Sequence, residues 1–108
     1  MVRQAVMDAL RAAVDERDWA QFHTPANLAK SIVIEAAELL QCFQWDDQLD
    51  GDSVAGELAD VMTYCFLLAD RLGLDPDDIV LHKLDETMAK YPVEKSRGRS
   101  TRYDRLSD

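Results

Sequence analysis

Long apolar runs, strand-like alternation, internal repeats, a cysteine framework and histidine-rich metal motifs are all missing from this 108-residue chain. Each absence excludes something. Without an apolar run near the roughly 20 residues that span a bilayer, a membrane helix is not expected. The start, MVRQAVMDAL, has no basic segment followed by an apolar one, so no signal peptide is expected and the cytoplasm is the default location. The two cysteines, Cys42 and Cys65, fall within predicted helices and form no CxxC pair. They read as reduced, packed thiols, not as a disulfide or zinc site. The only histidines are His23 and His82, and position 79 is Ile79, so the Glu-x-x-His motif of di-iron bundles fails. No stretch alternates with period two, which leaves no case for a sheet.

What is present is apolar, acidic and helical. Hydrophobic residues make up 47% of the chain, enough for one domain over 1–108. The net charge of −9 disfavours nucleic acid and anionic lipid as partners. That charge is uneven: residues 1–93 carry 18 acidic and 7 basic side chains, whereas the tail adds Lys95, Arg97, Arg99, Arg102 and Arg105 against three acids. An acidic body suits a cation and a basic tail at 92–108 suits an anion, and a metal–phosphate ligand would use both. The tail also reads simply as a solvated end.

Four helices follow from periodicity and caps. Val2, Val6, Leu10 and Ala13/Val14 set a stripe over 2–17. Thr24-Pro25 starts a second helix running to Phe43 or Trp45. Asp52 or Ser53 is expected to cap a third over 54–72, closed by Gly73. Asp75-Pro76-Asp77-Asp78 opens a fourth that stops before Tyr91-Pro92. The expected fold is all-α, a four-helix bundle-like subunit. Because 32–43 is apolar on almost every side, its burial calls for another subunit, and a homo-oligomer is expected.

Against that apolar background, SIVIEAAELLQ holds Glu35 and Glu38 three residues apart on one stripe, and GELADVMTY repeats the device with Glu57 and Asp60, Tyr64 extending it by a turn. Antiparallel packing would bring four carboxylates together. Like charges in a partly desolvated space must protonate or be neutralised by divalent cations. Oxygen ligands alone favour Mg²⁺, with Mn²⁺ as a substitute. Either pair also suits an ordinary solvated face. A competing arrangement is the window 46–57, with Asp46, Asp50, Gly51 and Glu57 at the EF-hand calcium-loop positions but Gln48 and Ser53 out of pattern. That alternative is a non-enzymatic helical metal-binding module.

The segments WAQFHTPANLAKSIVIEAAELLQCFQW, GELADVMTYCFLLADRLGL and HKLDETMAKYPVEKSRGRSTRYDRL together resemble the MazG-like all-α nucleotide pyrophosphohydrolases, closest to their dCTP pyrophosphatase branch. The likeness runs from about Asp15 to Leu106 and includes the ExxE…ExxD signature at Glu35, Glu38, Glu57 and Asp60. It implies Mg²⁺-dependent hydrolysis of a (deoxy)nucleoside triphosphate, first of all dCTP or a modified pyrimidine, to monophosphate and pyrophosphate, by a homodimer or homotetramer. Glu35 and Glu38 would serve catalysis as well as the metal, with Glu38 favoured as base. Trp19, His23 and Trp45 match base-pocket positions, Tyr64 a tyrosine beside the sugar, Lys83 a phosphate contact supported by Asp85, and Arg97, Arg102 and Tyr103 a tail closing over the phosphates. Each of these also reads as ordinary packing or a solvated face. The chain departs from the branch at Ile34 and Ala37, where glycines are common, and at Thr87 and Met88, where the branch often has asparagine and arginine. The second departure opens dUTP or a broader specificity.

Overall fold

The computed structural model describes residues 4–45 and 50–106 and is helical throughout: α1 (Gln4–Glu16), a 3₁₀ turn (Ala20–Phe22), α2 (Pro25–Gln41), α3 (Gly51–Arg71), α4 (Pro76–Lys90), the single-turn α5 (Val93–Ser96) and a second 3₁₀ turn (Tyr103–Arg105). Among the described residues there is no strand, and no helix is long and apolar enough to cross a membrane. The chain forms two compact units, Met1–Pro76 and Asp77–Asp108.

In the first unit α2 and α3 pack along each other and α1 touches α3. The α2 start is as the sequence suggests: the Thr24 hydroxyl accepts from the Asn27 amide at 3.1 Å and Pro25 occupies the first turn, where its missing N–H costs nothing. Asn27 also donates to the Phe22 carbonyl at 3.0 Å, fastening the 3₁₀ turn to the helix. Asp18 sits between α1 and that turn with φ 54°, a conformation that aspartate tolerates better than most residues. Gly73 closes α3 with φ 69°, which a side chain would strain.

Two expectations shift. The third helix starts at Gly51, three residues early, because Asp50 is its cap and not Asp52 or Ser53. The Asp50 carboxylate accepts from the Ser53 hydroxyl at 2.8 Å and the Asp52 amide at 3.1 Å, contacts that hold its pKa below the usual range, the hydroxyl foremost. And α1 turns Met7, with half-buried Leu10 and Val14, towards the core, leaving Val6 largely outside.

That core is thin. Among the described residues only Met7, Leu28 and Ala69 are buried hydrophobics in the single chain. On α2, Val33 and Leu40 remain 70% and 68% exposed, and with Ala37 they form one stripe on the side away from Glu35. On α3, Leu58 and Met62 are also exposed.

In the second unit the tail is organised by aromatic and cationic groups. The Tyr91 and Tyr103 rings meet edge to face at 6.1 Å, and the Tyr103 amide donates to the Tyr91 hydroxyl at 3.1 Å. Lys90 Nζ lies 4.7 Å from the centre of the Tyr103 ring and the Arg102 guanidinium 5.8 Å from it.

Candidate active site

The i, i+3 spacing on each helix turns an acidic stripe from α2 to face one from α3. Carboxylate oxygens of Glu35, Glu57 and Asp60 all lie within 4.8 Å of one another. Glu35 and Glu57 are half-buried, Asp60 and Glu38 exposed. Glu38 belongs to the same cluster. The Glu35 carboxyl is raised above its ordinary pKa first by a hydrogen bond shared with Glu38, then by burial and by the charges of Glu38, Asp60 and Glu57. Glu57 is raised too, chiefly by burial, then by the charge of Glu38 and a hydrogen bond with it, then by Asp60.

The cluster therefore carries an unmet demand for positive charge. Oε2 of Glu35 and Oε2 of Glu57 are buried without a hydrogen-bond partner. Buried polar atoms are normally paired, and an orphaned carboxylate oxygen is costly. A donor set of oxygens alone, with two of them unpartnered, fits a hard divalent cation.

Two turns along the same faces the chemistry changes. Leu28 precedes Glu35 by seven residues, and Leu67 follows Asp60 by seven, so each pair shares a helix face about 10 Å apart. There, α1, the 3₁₀ turn and the ends of α2 and α3 enclose a cavity of about 240 Å³, apolar at Val14, Leu28 and Leu67. His23 lines this cavity. Tyr64, half-buried on α3, lies on the stripe between Asp60 and Leu67.

The other residues singled out from sequence are placed as follows. Trp19 is half-exposed with the Arg17 guanidinium 5.5 Å from its ring centre. Trp45 follows α2 and is 85% exposed. The structure does not join it to Trp19 and His23 within the chain: they lie before and after a 17-residue helix about 25 Å long. In the second unit Lys83 pairs with Glu86 at 3.0 Å, which lowers the Glu86 pKa, and the Thr87 hydroxyl donates to the Lys83 carbonyl at 3.1 Å. Asp85 and Arg97 are exposed there, as are Arg102 and Tyr103 in the cation–aromatic group above.

The calcium-loop arrangement is not supported. Asp46 and Gln48 lie outside the described residues, but from Gly51 the window is helix, the Asp50 carboxylate is spent on the cap, and Glu57 turns to Glu35 and Asp60. Sequence reasoning missed the pair Arg11–Asp70, which borders the cavity. Arg11 Nε reaches both carboxylate oxygens at 3.1 and 3.2 Å and Nη2 reaches Oδ1 at 2.6 Å. With the two 59 positions apart and Arg11 on a solvated helix face, no local signal marks the pair.

An all-α chain whose two central helices pool an ExxE and an ExxD set defines a class of acidic-cluster helical proteins, and comparison with known families gives that class a name. The MazG-like family model matches residues 30–106, and the chain belongs to this family. Mouse dCTP pyrophosphatase 1 is 38% identical over 101 residues, covering 84% of this chain and 59% of the relative; the human protein of the same name is 37% identical over 103 residues with the same coverage. The chain thus spans about three-fifths of the length of these curated relatives. A solved pyrophosphatase from Archaeoglobus fulgidus superposes with a TM-score of 0.75 at 39% identity, covering 82% of this chain and 91% of that one.

Proposed function

We propose that the chain is a Mg²⁺-dependent nucleoside triphosphate pyrophosphohydrolase acting on a pyrimidine deoxynucleotide, dCTP or a modified relative, and releasing pyrophosphate. The observation that carries this reading is the convergence of Glu35, Glu57 and Asp60, with two buried carboxylate oxygens left unpartnered. Those three residues would hold Mg²⁺, or Mn²⁺ in its place, with Glu38 beside them. When bound, the cation neutralises the cluster and the triphosphate and makes a water easier to deprotonate. Glu38, exposed and hydrogen-bonded to Glu35, is the carboxylate placed to take the proton as that water attacks the α-phosphorus. The bond to the bridging oxygen then breaks, pyrophosphate leaves and the monophosphate remains. Half-buried Tyr64 would pack against the sugar. By the family resemblance, Lys83, Arg97 and Arg102 would supply charge for the phosphates, with Asp85 and Tyr103 in support. The names of the relatives, dCTP pyrophosphatases, agree with this substrate class.

The working form is a homo-oligomer, a dimer or a tetramer built from two dimers. Two observations favour it: the exposed Val33–Ala37–Leu40 stripe, and the position of Trp45, which can meet the Trp19–His23 end of a pocket only from a second copy.

The test is a panel of canonical and 5-modified deoxynucleoside triphosphates incubated with Mg²⁺ and scored by product. Pyrophosphate with monophosphate is expected and should disappear in Glu38→Gln and Asp60→Asn. Orthophosphate as the product, or an untouched panel, would defeat the reading.

A further inference from the structure

The cavity beside the carboxylates has an apolar side already described and a polar side that sequence reasoning did not find. Arg11, Asp15, His23, Asp70 and Arg71 line it. Its acceptors and donors are adjacent, because Arg11 and Asp70 are hydrogen-bonded to each other by two guanidinium nitrogens. That contact does not exhaust either group. A carboxylate has about four lone-pair sites and a guanidinium five N–H donors. Three contacts from Arg11 to Asp70, two to Oδ1 and one to Oδ2, leave acceptor capacity at Oδ2 and a second N–H at Nη2, while Nη1 lies 3.7 Å from the Asp8 carboxylate.

Position adds to chemistry. The cavity wall at Leu28 and Leu67 lies two helical turns from Glu35 and Asp60 on the same faces, about 10 Å away, with Tyr64 between. A deoxynucleotide has that reach from base edge to α-phosphorus. At about 240 Å³ the space takes a nucleobase, and it falls below the ~300 Å³ at which pockets for whole drug-sized ligands begin.

We propose that the Arg11–Asp70 pair is the specificity-determining element of this chain, reading the hydrogen-bonding edge of the nucleobase in this cavity. The inference rests on the pyrophosphohydrolase reading and deepens it. The carboxylate accepts from an exocyclic amine while the guanidinium beside it donates to the neighbouring ring nitrogen or carbonyl, the order on a 4-aminopyrimidine. The 4-oxo edge of uracil or thymine puts an oxygen against the carboxylate and leaves two acceptors facing each other without a donor.

The test compares kcat/KM for dCTP and dUTP, by pyrophosphate release, in three proteins: wild type, Asp70→Asn, and the charge-swapped double variant Arg11→Asp/Asp70→Arg. The dCTP:dUTP ratio is expected to fall about tenfold or more in Asp70→Asn. It should stay altered in the swapped variant even though the ion pair, and with it the melting temperature, is restored. A swapped variant with the wild-type ratio would make the pair a structural tie only and overturn the proposal. So would an unchanged ratio in Asp70→Asn with full activity, which leaves the pyrophosphohydrolase reading standing. A second measurement on wild type needs neither turnover nor metal: titration with 2′-deoxycytidine, followed by NMR of the His23 imidazole. A saturable shift, weaker with deoxyuridine, is expected, and no shift at millimolar nucleoside refutes the base site.

Discussion

The Val33→Glu/Leu40→Glu double variant bears directly on self-association. Both side chains project from the face of α2 away from Glu35 and stay mostly in solvent in the single chain, 70% and 68% exposed. Full burial of a Val or Leu side chain contributes about 1.5–3 kcal/mol. With about two-thirds of each still to be buried, association recovers roughly 1–2 kcal/mol per residue. In a two-fold interface each residue counts twice, so removing both costs about 4–8 kcal/mol. At 1.4 kcal/mol per decade, that weakens the dimer by roughly a thousandfold or more. Glutamates introduced on both copies of such an interface would repel one another and push the same way. Sedimentation velocity from nanomolar to tens of micromolar subunit reads the change directly. Far-UV circular dichroism should be unaltered, because glutamate is a good helix former and neither site is buried within the subunit. If the double variant associates as tightly as wild type with its helicity intact, this stripe is not the interface. If Trp45 serves a neighbouring copy, pyrophosphate release should fall in parallel with association.

Three further outcomes are expected. Glu57→Gln should lower Mg²⁺-dependent turnover by about a hundredfold, the upper end of what loss of even a ligand-orienting group costs, while metal-free thermal stability stays level or rises because a half-buried like charge has gone; pyrophosphate release checks the first and calorimetry with and without Mg²⁺ the second. The metal-free protein should lose stability as pH rises: Glu35 and Glu57 are raised in the folded chain, so their favourable contribution is complete below the ordinary glutamate pKa of 4.5 and is lost as pH climbs through the raised values. Mg²⁺ at a hundred times its dissociation constant should offset that decline by about 2.7 kcal/mol, and an apo melting curve flat across this window would refute the argument. Thr24→Ala should cost about 1 kcal/mol, roughly 4–8 °C in melting temperature, with Thr24→Ser close to wild type in the same melts.

Local chemistry made much of this readable. The cap and first-turn proline of α2, the glycine after α3 and the i, i+3 acidic pairs are signals contained within a few residues, and each lies where the pattern put it. Asp50 was passed over as a cap because DDQLDGDS offers several equivalent candidates, and the choice is made by which carboxylate reaches the Asp52 amide and Ser53 hydroxyl. The inward face of α1 was misjudged by one residue, Met7 in place of Val6, because short alanine-rich helices leave their stripe weakly specified. The cavity and the Arg11–Asp70 pair depend on residues from α1, α2 and α3 meeting at one end of the unit. Nothing within α1 distinguishes Arg11 from a solvated arginine.

The chain breaks two rules of folded proteins, and both breaches centre on α2. Half-buried carboxylates face one another with oxygens unpartnered, and an apolar stripe on the opposite side stays in water. Sequences that violate local consistency do so where function demands it. A divalent cation would satisfy the first breach and a second copy the second, and because the two faces are opposed neither ligand would need to displace the other. Their signatures are therefore separable. Stabilisation by metal scales with free cation and is indifferent to subunit concentration, whereas stabilisation by association scales with subunit concentration and persists in chelator. Melting temperatures over both axes should show two independent slopes. A slope with subunit concentration that vanishes in chelator would mean that the cation itself bridges the copies, and would move the interface from the Val33–Leu40 stripe to the carboxylate face.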